Sequence, residues 1–301
     1  MKLYILARPN RKNGAERLLQ AALERGHDAR IIDYTKCYCN IEKSSPAIHY
    51  DGKVLEKPDA IIPRISIASQ SYGSAIIRQF EMMNVFSTTG SLAFLRARDK
   101  LRSMQLLARH NVDIPKTAFA METQHIDNLI AMVGGAPLII KVTRGSQGVG
   151  VMLAETKNAA KSIIQTLYSQ NVNIMVQEYI AESAGADVRV FIVGGKIVGT
   201  FKRQAQEGEF RSNMHTGGEG KPIRLTKDER KMALNVAKYH NLSIAGVDLL
   251  QSDRGPLAME VNAFPMMNAI EQITGKDIAG AIIRYAEEQV PKKPKRDKVG
   301  V

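Results

Sequence analysis

Two periods run through the apolar positions of this chain. Residues 3–7 form an uninterrupted apolar run of the kind a buried strand shows. From 13 to 25 the apolar residues recur with helical spacing and stop at Gly26, and residues 29–32 form a second apolar run closing at Asp33. Strand, helix, strand in that order predicts a parallel, doubly wound sheet. Residues 47–50 and 53–55 flank Asp51-Gly52, a hairpin signal, and 59–63 reads as another short strand. Helices are predicted over 70–83 and 91–109. The loop 111–115 ends in a proline that no helix continues through, so a domain boundary falls within 98–115.

The second half carries shorter periods. A β-rich run at 138–142 contains Lys141, a glycine-rich loop spans 143–150, and 151–154 reads as its return strand. Thr156 is placed to cap a helix running to about 169, and 173–177 reads as the next strand. Residues 187–193 and 196–201 flank Gly194-Gly195 as a tight hairpin, with Asp187 and Arg189 on one strand face and Arg203 on the following strand. Residues 209–220 are polar without periodicity, and a loop of that length is often functional. Thr226 to Glu229 has the form of a capping box opening a helix to about His240, and a last helix is predicted over 277–289.

The stretch 245–265 carries the sharpest chemical pattern. Two apolar runs flank Ser252-Asp253-Arg254-Gly255, so it predicts a hairpin. Glu260 and Asn262 then share a face with Cα atoms about 6.6 Å apart. Pairing about the turn brings Asp248 near Glu260. Two carboxylates and an amide make a hard-oxygen set suited to Mg²⁺ or Mn²⁺, although the same spacing describes two solvated acids on an exposed face. Lys141 beside the glycine loop suits phosphate, the loop offering N–H donors and the lysine a point charge; a flexible hairpin with a snorkelling lysine has the same pattern. The spacing is not that of a Walker A motif. The loop 8–14 lacks GxGxxG, so the first domain is not expected to hold NAD.

Composition adds bounds. With 301 residues, 44% hydrophobic and 24% charged, the chain can build about two domains with real cores. No stretch approaches the roughly 18 apolar residues of a membrane span, and Arg8-Pro9 interrupts the first apolar run before it could serve as a signal peptide, so the expected location is cytoplasmic. Cys37 and Cys39 suit neither a disulfide nor a zinc pair and read as free thiols. Net charge is +12. Residues 291–301 supply +4 of it, from five basic residues and one acid, leaving +8 for the body. Such a balance favours anionic partners. The six histidines form no ligand spacing, and only His215 lies in the polar loop.

Lys100, Lys141 with its glycine loop, Gln177-Glu178-Tyr179, Asp187-Val188-Arg189, Arg211-Ser212-Asn213, Asp248 and Glu260-Val261-Asn262, in that order, resemble the ATP-grasp ligases. The stretches AIHYDGK, IPRI, RQFEM, FLRARDKLRSMQLLAR, VGGAPL, GEFRSN and RGPLAMEVNA extend the likeness, and it is closest to the RimK family, which adds glutamates to the C-terminus of a small-subunit ribosomal protein. The resemblance implies an α/β, Rossmann-like pre-ATP-grasp domain over 1–100 and an α+β ATP-grasp fold over 101–289 whose two subdomains clamp ATP; the charge run makes 290–301 a basic tail that is expected to be disordered. It implies an ATP-dependent carboxylate–amine ligase that forms an amide through an acyl phosphate, with L-glutamate and an acidic ribosomal-protein tail as substrates. A homo-oligomer that binds neither membrane nor nucleic acid as its main partner is implied as well.

By the same resemblance, Lys100, Lys141, Gly145, Ser146 and Gly148 hold phosphates, Gln177, Glu178, Tyr179 and Ile180 read adenine, and Asp187 accepts from a ribose hydroxyl. Arg211, Ser212 and Asn213 complete the nucleotide contacts. Asp248, Glu260 and Asn262 hold two Mg²⁺ or Mn²⁺ ions, and Arg189, Arg203, Arg211 and Asn213 grip substrate carboxylates or the acyl phosphate. One departure falls beside the site: the family pattern Asn-Ala-Ser-Pro-Gly-Leu is here Asn262-Ala263-Phe264-Pro265-Met266-Met267, which is expected to alter how the acceptor or amino acid sits. Two other readings stay open: a ligase on another acceptor, such as an amino-group carrier protein or N-acetylaspartate, and a nucleotide- or nucleic-acid-binding regulator without turnover.

Overall fold

The computed structural model describes residues 1–9, 14–43, 45–143, 150–212 and 218–290. The N-terminal unit begins with β1 (Lys2–Leu6), α1 (Ala15–Glu24) and β2 (Asp28–Ile32), and continues through β3 (Tyr38–Asn40), β4 (Ala47–Tyr50), β5 (Lys53–Val54), β6 (Ala60–Pro63), α2 (Gln70–Met82), β7 (Phe86–Ser87) and α3 (Ser91–Arg98). Its main sheet has the order β2-β1-β6-β7 with every pairing parallel, as the strand–helix–strand pattern predicts. Cys37 and Cys39 are free thiols, and burial pushes the Cys37 thiol up to about 12.

The helix predicted over 91–109 is two helices. Asp99 has extended backbone (φ −88°, ψ 101°), and its carboxylate accepts a 2.9 Å hydrogen bond from the Arg102 N–H, capping α4 (Lys100–Arg109). A capping aspartate competes with the continuous helix, and the break sets Lys100 at the first position of the new one.

A central unit follows: β8 (Thr117–Ala118), α5 (Ile126–Met132), β9 (Leu138–Val142), β10 (Val151–Ala154), α6 (Lys157–Ser169) and β11 (Ile174–Glu178). Its antiparallel sheet, ordered β10-β9-β11-β8, packs α5 and α6 against one face through Ile126, Leu129, Ile140, Ile164 and Val176. The C-terminal unit contains β12 (Ala186–Val193), β13 (Lys196–Gln204), β14 (Glu219–Pro222), α7 (Lys227–Tyr239), β15 (Ile244–Ser252), β16 (Gly255–Asn262), α8 (Asn268–Thr274) and α9 (Ile278–Gln289). Thr226 and Glu229 form the reciprocal capping box expected at the start of α7. β14, which the unpatterned 209–220 stretch did not announce, adds to the edge of a five-stranded antiparallel sheet, β14-β13-β12-β15-β16.

That sheet has two different faces. Val188, Val190, Ile192, Val247, Leu249 and Val261 enter a core shared with α4, α7 and the N-terminal unit. On the other face Phe191, Val193, Phe201 and Ile244 pack against α1, α8 and α9, covering only part of it. The part that these helices leave free of apolar packing holds Asp187, Arg189, Arg203, Asp248, Glu260 and Asn262. Among the described residues no helix is long and apolar enough to cross a membrane.

Candidate functional site

Strand register puts these side chains together. Across the β15–β16 hairpin Asp248 pairs with Glu260 and Gly246 with Asn262, with a bulge just after Asp248. Across β12–β15 Arg189 is opposite Asp248, and across β12–β13 Asp187 is opposite Arg203. All are cross-strand neighbours on one face, and the two Asp–Arg pairs set opposite charges at short range. Arg189 donates through Nε and Nη2 to the two Asp248 oxygens, the second bond measuring 2.5 Å. Arg203 donates to both Asp187 oxygens at 2.6 and 2.7 Å, and its Nη2 lies 2.8 Å from Asp248 Oδ2. Ser212 Oγ donates to Asp187 Oδ2.

This network is buried: Asp187 and Asp248 are each 2% exposed and Arg203 5%. Burial pushes the Asp248 carboxyl up, but the two guanidinium groups outweigh it and hold the group below its ordinary range. For Asp187, burial and the neighbouring Asp248 prevail over Arg203, so its carboxyl is raised. Arg203 is held charged by both aspartates against the cost of burial. Glu260 is more open, with 39% of its side chain exposed and the Lys100 Nζ 3.5 Å from Oε1.

The central sheet faces this cluster with β9. Lys141, opposite Met175 in register, lies within range of the charges of Glu260, Lys100, Asp248 and Asp187. Burial lowers the Lys141 ammonium to about 8, against the pull of Glu260 and helped by Lys100. The Gln177 amide donates to Thr117 Oγ1 at 2.8 Å. Glu178 accepts from the Lys116 N–H at 2.7 Å and pairs with Arg254, while its own N–H donates to Lys116 O at 3.0 Å. Ile180 is buried and Tyr179 half-buried.

Several expected groups are thus engaged within the protein. Asp187, expected at a ribose hydroxyl, is held by Arg203 and Ser212, and Arg189 and Arg203, expected at substrate, hold Asp248. Arg211 is paired with Glu209, which accepts from its Nε at 3.0 Å and its Nη2 at 2.7 Å; these bonds hold the Glu209 carboxyl down at about 2. Gly145, Ser146, Gly148, Asn213, His215 and the tail lie outside the described residues. Met267, expected to face the substrate, is instead fully buried in the core between the sheet, α1, α8 and α9. Phe264 is half-buried, its ring 4.8 Å from that of Phe94, and Met266 Sδ lies 3.8 Å from Arg64 Nη2. Three contributors had no chemical signal in the sequence: Asp99, Glu209 and Arg254 act by holding other residues.

The donor set fits a hard divalent cation in type and placement: two opposed carboxylates and an amide on the same face. Among the described residues no group of three or more His, Cys, Asp or Glu side chains is placed to hold a metal.

Comparison with known proteins matches the RimK PreATP-grasp domain over residues 1–94 and the RimK-like ATP-grasp domain over residues 97–286. The chain is 52% identical to a "Probable alpha-L-glutamate ligase" of Photobacterium profundum, covering 98% of each chain. It is 48% identical to a protein of the same name from Aeromonas salmonicida, over 98% of this chain and 99% of that one. Among solved structures, the ATP-grasp ligase PsnB with a phosphomimetic variant of minimal precursor, Mg and ADP superposes at a TM-score of 0.76, with 18% identity over 96% of this chain and 98% of that one. A RimK domain protein ATP-grasp from Sphaerobacter thermophilus superposes at 0.72, with 18% identity over 95% and 99%.

Proposed function

We propose, because the chain belongs to the RimK-like ATP-grasp family, that this ATP-dependent carboxylate–amine ligase adds L-glutamate to the C-terminal carboxylate of an acidic protein tail, most simply that of a small-subunit ribosomal protein. The observation that carries the reading is the opposition of Asp248 and Glu260 on the polar part of the C-terminal sheet, with Lys100 and Lys141 close to the same place. Relatives of about half-identical sequence bear the glutamate-ligase name, which supports glutamate as the amine.

Two displacements make up the reaction. An oxygen of the acceptor carboxylate attacks the γ-phosphorus of ATP, the bond from that phosphorus to the β–γ bridging oxygen breaks, and ADP leaves. The glutamate amine then adds to the acyl carbon, the bond from carbon to the phosphate oxygen breaks, and phosphate departs as the nitrogen loses its proton. Lys100 and Lys141 bind the phosphates as point charges, and residues 177–180 line the adenine side. Asp248, Glu260 and Asn262 would hold Mg²⁺, with Mn²⁺ as a substitute. When bound, the metal neutralises charge on the transferred phosphoryl group. Arg189 and Arg203 keep Asp248 ionised and fixed, and Arg211 is placed to meet a substrate carboxylate once it leaves Glu209. No covalent nucleophile is required, because orientation and electrostatics carry the chemistry.

The test is purified protein with ATP, Mg²⁺, glutamate and candidate acceptors: acidic-tailed ribosomal protein, carrier protein and N-acetylaspartate. Intact mass reports added glutamyl units. ADP release without any mass gain on a protein acceptor would overturn the protein-tail assignment.

A further inference from the structure

A second cluster of charge lies on the opposite side of α4 from Lys100. Arg102, Gln105 and Arg109 follow one another at helical spacing along its outer face, and with Arg96 of α3 they line a cleft of about 470 Å³. His110 and Tyr239 close its end as a stacked pair, ring centroids 4.0 Å apart and planes within 4°. Among the described residues none of the three guanidinium groups has an ion-pair or hydrogen-bond partner. The floor supplies no counter-charge. His240 beneath is fully buried, bonded to Ser103 Oγ and Val236 O at 2.8 Å each, and burial together with the charge of Arg96 holds its imidazole below the ordinary value. Three like charges sharing one cleft repel one another, and an anionic ligand relieves that repulsion.

We infer that this cleft is an exosite for the carboxylate-rich segment of the acceptor chain, a reading that rests on the ligase function proposed above. Three cations are few for tracking a nucleic-acid backbone, and the two aromatic rings present stack on each other, so no ladder is left for bases. Lys100 and Arg109 are the first and last residues of α4, about 13 Å apart along its axis, and because the chain must also pass round a helix about 10 Å across, roughly six to eight extended residues cover the path. A tail held here reaches the site with its C-terminus. Each glutamate added contributes one more carboxylate, so affinity for the cleft grows with the product and favours repeated addition.

The probe is a fluorescein-labelled oligo-L-glutamate peptide titrated against wild type and the variant Arg102→Glu/Arg109→Glu, both positions being exposed. Wild type should bind with affinity that falls as salt rises, and the variant at least about tenfold more weakly and with a flatter salt dependence. Arg102→Lys/Arg109→Lys should retain most of the binding. With an acidic-tailed acceptor the glutamate variant should raise KM by a similar factor and shorten the added chain, with kcat and the KM for ATP unchanged. Equal peptide binding by wild type and variant overturns the exosite, as does wild type that ignores the peptide but binds an RNA oligonucleotide through these arginines. Peptide binding lost in the variant, in a protein that ligates no glutamate, upholds the cleft and sinks the reaction instead.

Discussion

At the scale of single residues the two carboxylates of the hairpin do different work. Glu260 is half-open and meets Lys100 at 3.5 Å, so Glu260→Gln should leave the melting temperature nearly unchanged while turnover falls by orders of magnitude. Asp248 is buried between two guanidinium groups. Asp248→Asn strands that charge and should cost about 3–5 kcal/mol of stability in chemical denaturation as well as activity. Lys141 links stability to pH. Its folded value near 8 lies below the ordinary 10.5, so between those values the unfolded chain holds the extra proton, and the free protein should gain stability as pH rises through that window. ATP needs the charged form, so KM for ATP should rise over the same range, and both trends should vanish in Lys141→Met. A pH-independent KM in wild type would remove Lys141 from the phosphate site.

Elements position these groups, and the break at Asp99 is the clearest instance. Asp99→Ala should remove about 1 kcal/mol of helix stability and raise KM for ATP, because the cap fixes where α4 and therefore Lys100 begin. The β15–β16 hairpin depends on close backbone approach at Gly246: a Cβ there would sit 2.7 Å from Pro265 Cβ, and a proline ring cannot rotate away. Gly246→Ala should therefore cost about 1–3 kcal/mol and shift Asn262, its register partner, with a corresponding loss of turnover. The turn of the same hairpin reaches the central unit, Arg254 pairing with Glu178 and the Asp253 N–H donating to Glu182 Oε1 at 3.3 Å.

Across the whole molecule, the C-terminal sheet is shared between neighbours: one face joins α4, α7 and the N-terminal unit, and the other is half covered by α1, α8 and α9. Phe264 belongs to that packing through Phe94. Phe264→Ser with Met266→Gly should lower stability by about 2 kcal/mol and leave the acceptor profile per folded molecule unchanged. A changed profile at equal folded fraction would return Phe264 to the substrate pocket. The basic excess acts at this scale too: raising salt from low to physiological should weaken an acidic acceptor more than ATP, which is held in a cleft and less screened.

The sequence by itself determined the local elements and one chemical face. Alternation around a turn brings Asp248 near Glu260, and the bulge after Asp248 sets the two directly opposite; the Thr226–Glu229 spacing forms its box, which depends only on neighbours along the chain, and the first strand–helix–strand run builds a parallel sheet because the crossover helix returns the chain in the same direction. The order of Lys100, Lys141, Asp187, Asp248, Glu260 and Asn262 was likewise legible, as a resemblance. What each charge touches was decided by tertiary structure. Arg189 and Arg203 share strands or hairpins with polar partners that the pattern names but cannot assign, and only the register of β12, β13 and β15 turns them onto Asp187 and Asp248. The arginines of α4 are ordinary exposed positions in the sequence. They become a cleft only where α7 ends beside them, since an electrostatic site is made by proximity, which residue spacing along separate elements does not encode.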